Sequence, residues 1–230
     1  MINKWYFQRE KRSFICIEEV SNTMPTNIND DEDTLLKIEQ NDNTLTGLHI
    51  GDGNHTFYRT INTRESFSRI GNSIGKNTHL KHLVVVIPSE LDITQKDFFE
   101  GLTRNNSIEN LHLHGRGDGI GADVFHAILK SFQSNSNNLV DLYLNRTLQM
   151  QEDGGEHILA ATLKSCSNLT NIFLRGIDIT DEQLLVLADA MRGNHSLEVL
   201  RLDGNLIGDA GCETLSTLLT NPQSNYNILG

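Results

Sequence analysis

The six-residue pattern L-x-x-L-x-L constrains this chain more than any other feature. It is clearest at Leu197-Glu-Val-Leu-Arg-Leu202, followed by Asn205 and by Ile207-Gly-Asp-Ala-Gly211, with Leu215, Leu218 and Leu219 spaced three and one apart. That order reads as a short strand with an inward leucine face, then a turn, then an amphipathic helix. The side-chain amide of Asn205 is expected to satisfy backbone groups where the chain leaves the strand. One such unit cannot bury its leucines alone; it needs copies of itself to stack on.

The copies are present. Earlier ones begin at Leu45, Leu80, Ile108, Leu139 and Leu169, so the six starts (45, 80, 108, 139, 169, 197) lie 35, 28, 31, 30 and 28 residues apart. A helical pattern fills nearly every gap. A doubly wound α/β domain would show longer strands and more uneven spacing, so the near-constant period points to a solenoid.

The fullest copy, L-x-x-L-x-L-x-x-N-x-I-G-x-x-G at 197–211, resembles the leucine-rich repeats of the ribonuclease-inhibitor type. These also form the sensor arms of NLR immune receptors and the body of Ran GTPase-activating proteins. The resemblance covers residues 45–230 and implies an α/β leucine-rich repeat solenoid. That is a right-handed horseshoe with parallel strands on the concave face and helices on the convex one. Only Asn205 keeps the asparagine of the pattern; Ile177, Thr147, Arg116, Pro88 and Gly53 stand at the equivalent positions, and their turns must satisfy the backbone otherwise.

Residues 1–44 do not fit the repeat and are expected to be an N-terminal cap or a partly disordered segment. Within them 14–20 has strand character and 33–40 helical character, with an acidic, polar loop at 24–33 between. Repeat one carries an insertion at 51–60, rich in turn formers, and repeat two a helix that Thr94 is placed to cap. The glycine run 115–121 lacks the Lys and Ser/Thr of a phosphate-binding loop and reads as a turn. Asp153–Glu156 and Thr180–Gln183 both have capping-box spacing. The last residues, 225–230, enter a seventh strand with no polar cap after it, so the chain is expected to be incomplete or covered there by a partner.

A net charge of −11, from 19 basic and 30 acidic residues, argues against general affinity for nucleic acid. The first residues have no apolar run long enough for a signal peptide and no later run approaches membrane-spanning length, so no targeting segment is expected. The cysteines at 16, 166 and 212 form no C-x-x-C pair, which fits a reducing compartment and a cytoplasmic protein. N-x-S/T sequons at Asn54, Asn105, Asn145, Asn168 and Asn194 carry little weight in so asparagine-rich a chain.

Strand alternation places three columns on the concave face. The first is Gly47, His82, Asn110, Asp141, Asn171 and Val199; the second is His49, Val84, His112, Tyr143, Phe173 and Arg201; the third is Gly51, Val86, His114, Asn145, Arg175 and Asp203. An exposed Phe173 beside Tyr143, Arg175 and Arg201, with Asp141, Asn171 and Asp203 around them, has the composition of a partner-binding face. Hydrolase chemistry finds no G-x-S-x-G and no cysteine with a matching histidine. His82, His112 and His114 form the one metal-like grouping, without a further ligand, so no metal or cofactor is expected. The expected function is a non-catalytic module that binds another protein on the concave face. A GTPase activator of the Ran-activator type, or a fragment of an NLR-like sensor arm, are alternatives that the resemblance alone suggests.

Overall fold

The computed structural model describes residues 5–8, 13–16, 31–50, 64–87, 96–115, 125–130, 138–147, 154–220 and 227–229. Two short strands, β1 (Trp5–Gln8) and β2 (Ser13–Cys16), pair antiparallel as a separate hairpin. The rest alternates strand and helix: α1 (Asp31–Glu39), β3 (Gly47–Ile50), α2 (Arg64–Lys76), β4 (His82–Ile87), α3 (Lys96–Leu102), β5 (Asn110–Gly115), a helical stretch at 125–130, β6 (Asp141–Asn145), α4 (Gly155–Ser165), β7 (Asn171–Arg175), α5 (Asp181–Met191), β8 (Val199–Arg201), α6 (Asp209–Thr220) and β9 (Asn227–Leu229).

Strands β3 to β9 form one sheet of seven, ordered as in the sequence and parallel at every pairing. This is an α/β leucine-rich-repeat-like solenoid. Strand order follows chain order because each unit packs only on its neighbours. The register aligns the repeats as their leucines do: Leu83, Leu111, Leu142, Ile172 and Leu200 stand opposite one another, and so do Val85, Leu113 and Leu144 with Leu174. All of these side chains are buried, and Leu184, Leu187, Ala188 and Met191 on α5 belong to the same core. In the 1–44 region, α1 contributes Leu35 and Ile38 to the same core. The seventh strand forms as expected, with Leu200 opposite Ile228.

Asparagine holds the turns on both sides of the sheet, a single residue on one side and a ladder of three on the other. Asn205, where β8 ends, donates from Nδ2 to Leu174 O (2.6 Å) and Leu202 O (2.7 Å) and accepts the N–H groups of Ile177 (3.1 Å) and Ile179 (3.2 Å). The turn at Ile177, which lacks its own asparagine, thus borrows that of the next repeat. The ladder lies at the opposite turn, three residues before the first apolar residue of the repeat. There Asn77, Asn105 and Asn194 accept the N–H groups of Leu80 (2.7 Å), Ile108 (3.0 Å) and Leu197 (2.8 Å). Asn105 and Asn194 also donate to Ile74 O (2.7 Å) and Leu163 O (2.5 Å) of the preceding repeat, which staples successive units together. Two of the sequons are therefore turn residues, each 6% exposed.

The helix starts differ from each other. Thr180 and Gln183 form the expected capping box on α5. Asp153 of the box expected at 153–156 lies outside the described residues, and α4 has Gly154 at its N-cap in the left-handed region (φ 71°) with no side-chain cap. A glycine there reaches a positive φ without the Cβ clash other residues meet, and so takes over the turn. Helices α2 and α3 meet through glycine: a Cβ on Gly101 would lie 1.8 Å from Gly71 O, and one on Gly75 2.5 Å from Gly101 O. The expected loop at 51–60, the cap at Thr94, most of the glycine run 115–121 and of the loop at 24–33 lie outside the described residues.

Candidate partner-binding surface

The concave columns follow from the register. Asn110, Asp141 and Asn171 stand in line, with Val199 next; His112, Tyr143, Phe173 and Arg201 form the second line, and His114, Asn145 and Arg175 the third. A parallel sheet brings residues at one register position about 4.8 Å apart, so flat side chains in one column stack. Tyr143 and Phe173 lie face to face, with ring centroids 3.9 Å apart and planes 8° apart, and His112 packs on the other face of Tyr143 at 3.8 Å.

That stack corrects one expectation. Phe173 was expected to be exposed, yet it is 9% exposed and counts among the buried residues. Tyr143 on one side and Arg201 on the other are its register neighbours, and their bulk covers its ring. A concave surface also brings adjacent side chains together where a convex one would spread them. Tyr143 and Arg201 are half-buried, while Arg175 is exposed.

Two acids of this face, Asp141 and Asp203, are engaged by neighbouring side chains. Asp141 accepts hydrogen bonds from the amides of both Asn110 and Asn171, so its carboxylate is held between two neutral donors. Asn171 also donates to Thr170 Oγ1 (3.0 Å). Arg201 pairs with Asp203 at 2.9 Å, with side chains 16% and 30% exposed. Thus Asp141, Asn171, Tyr143, Phe173, Arg201 and Asp203 form one continuous patch, and Arg175 stands at its margin.

Towards β3 the third column opens into a groove of about 500 Å³, bordered by His49, Val84, Val86, His114, Arg146 and Arg175. Asn145 Nδ2 lies 3.4 Å from His114 Nδ1 on its wall. Reading strands alone did not reveal this groove, because Arg146 falls one residue beyond β6. The signal was in the sequence: Arg146 occupies the position that Gly176 and Gly204 fill in the next two repeats. Its φ is 50°, against 59° and 69° for the two glycines.

The histidines do not converge as a metal site would. His112 and His114 have ring centroids 6.4 Å apart, and His112 is engaged with Tyr143. Among the described residues no group of three His, Cys, Asp or Glu side chains is placed to hold a metal ion. Burial pushes the Cys166 thiol up to about 11, so this cysteine is not a nucleophile at neutral pH. No helix of the described residues is long and apolar enough to cross a membrane.

A solved structure shares the architecture. The tropomodulin C-terminal domain of Caenorhabditis elegans superposes with a TM-score of 0.54 at 11% identity, covering 72% of this chain and 93% of that one. At that identity the likeness speaks to the fold alone. Looser matches are actin-binding site 2 of leiomodin-1 (TM-score 0.44, 16% identity, 86% of this chain and 90% of that one) and a Bacteroides fragilis protein (TM-score 0.36, 12% identity, 96% and 81%). No family model matches the chain, and no curated protein matches it in sequence.

Proposed function

We propose that this chain is a non-catalytic protein-interaction module that receives its partner on the concave face. The observation that carries this reading is the aromatic stack His112–Tyr143–Phe173, continued in register by Arg201 with Asp203. Aromatic and arginine side chains held rigid before binding lose little conformational entropy on contact, and such groups concentrate interface energy. Because the whole sheet supports the stack, its geometry exists before the partner arrives. The proposed contact set is Asp141, Tyr143, Asn171, Phe173, Arg175, Arg201 and Asp203. Phe173 contributes mainly by fixing its neighbours, given its burial.

A photo-crosslinking amino acid placed at Tyr143, and separately at exposed Glu182 on α5, tests this face. Crosslinking to a native partner at position 143, competed away by unlabelled wild-type chain and missing at position 182, is the expected result. The opposite pattern refutes the concave site. Any captured small GTPase is then assayed for accelerated GTP turnover, and acceleration would replace the non-catalytic reading.

A further inference from the structure

Among the described residues, two guanidinium groups on the concave rim have no acid paired with them. Asp141 is held by Asn110 and Asn171, and Asp203 is paired with Arg201 at 2.9 Å. Among the described residues no carboxylate pairs with Arg146 or Arg175, and none borders the groove of about 500 Å³ that they flank. This basic groove sits in a chain of net charge −11.

The backbone at Arg146 supplies an independent observation. Its φ of 50° lies in the left-handed region, at the repeat position where the next two repeats carry Gly176 and Gly204. Glycine adopts that conformation without strain and arginine does not. Strain retained at one repeat and relieved in its neighbours points to use of the side chain. Space is left for that side chain as well: a Cβ on Gly176 would come within 3.3 Å of Arg146 Cγ. The apolar side of the groove is Val84 and Val86, both half-buried.

We propose that this groove binds a short acidic segment of the partner protein in extended form. One carboxylate is bridged by Arg146 and Arg175, and a neighbouring apolar side chain lies on Val84 and Val86. Planar guanidiniums suit carboxylates because two N–H donors meet two oxygens. The overall acidity opposes a long polyanion such as nucleic acid but permits a brief acidic stretch held at short range. The inference rests on the concave-face reading and names the chemistry of the partner there.

The test uses the full chain and two capped peptides, one alternating Glu and Val, the other alternating Gln and Val. Binding is read by fluorescence anisotropy, and its place by amide shift changes in NMR. The Glu peptide is expected to bind at least tenfold more tightly than the Gln peptide, with shifts at Val84, Val86, Arg146 and Arg175. Arg146→Gly and Arg175→Gln are each expected to weaken it at least tenfold. Arg146→Gly should do so with its Tm unchanged or raised, since glycine relieves the backbone. Equal binding of the two peptides, retained binding by Arg146→Gly, a fall in its Tm of several degrees, or preference for an oligonucleotide overturns the inference. Crosslinking at position 143 without discrimination between the peptides would overturn the acidic chemistry while leaving the concave face as the binding surface.

Discussion

Replacing Asn205 by alanine should unfasten two repeats at once. The side chain makes four hydrogen bonds, two to carbonyls (Leu174 O, Leu202 O) and two from the amides of Ile177 and Ile179. Both isoleucines are fully buried, so their N–H groups have little access to water after truncation. Each stranded buried donor costs about 1–3 kcal/mol. The half-buried site lets water into part of the vacated space, so the sum is taken as about 2–4 kcal/mol. For a chain of this size that corresponds to a Tm lower by roughly 4–16 °C. Amide exchange gives the sharper readout, because the loss is local first. In Asn205→Ala, the amides of Ile177 and Ile179 should exchange at least tenfold faster while that of Ile172 changes less. Asn205→Asp keeps the oxygen that accepts both N–H groups but turns a carboxylate oxygen towards two carbonyl oxygens. It should be at least as damaging at neutral pH and recover partly in acid, when the carboxyl can donate again. An alanine variant that melts within a degree of wild type, with both amides still protected, would refute the cross-repeat bridging.

Phe173→Ala should destabilise by about 3–5 kcal/mol, close to the 2–5 kcal/mol expected for Leu174→Ala; paired urea titrations check this, and a loss below about 1 kcal/mol would return Phe173 to the surface. Thiol labelling at pH 8 with peptide mapping should modify exposed Cys212 and spare Cys166, which is buried, until the chain unfolds. The raised thiol pKa of Cys166 adds a pH dependence: its stabilising contribution is full below about 9, the ordinary value, and is lost as pH rises through about 11. Denaturation curves at pH 8 and pH 11 should therefore separate more for wild type than for Cys166→Ala. Gly101→Ala should lower stability by more than the roughly 1–3 kcal/mol of ordinary overpacking, because its methyl would meet backbone rather than a movable side chain.

The repeat pattern made the strands, their register and their inward leucines legible, because alternation and period are properties of the residues in order. The concave columns followed without further information. What alternation cannot supply is the shielding of one column member by the next. Phe173 points outward as expected and is nevertheless buried, because Tyr143 and Arg201 lie within one strand spacing of it. The ladder of Asn77, Asn105 and Asn194 was hidden for another reason: at Asn105 and Asn194 it coincides with N-x-S, a motif with a different meaning. Only the distance to the first apolar residue of the next repeat, three residues in each case (Leu80, Ile108, Leu197), separates the two readings. The groove escaped because its strongest residue, Arg146, is defined by a backbone conformation that aligned glycines reveal and a single strand pattern does not.

The glycine contact between α2 and α3 bears on the shape offered to a partner. A solenoid bends because its outer elements are spaced more widely than its inner ones: helices packed through side chains lie about 8–10 Å apart, parallel strands about 4.8 Å. That difference is the wedge in every repeat. Where Gly71, Gly75 and Gly101 let two helices meet backbone to backbone, the outer spacing shrinks towards the inner one and the wedge narrows. The arc is therefore expected to be flatter around β4, behind Val84 and Val86, than where larger side chains hold the helices apart. A rigid ligand shaped to a uniform arc would rock on this face, whereas an extended chain can follow the change in curvature from one rung to the next.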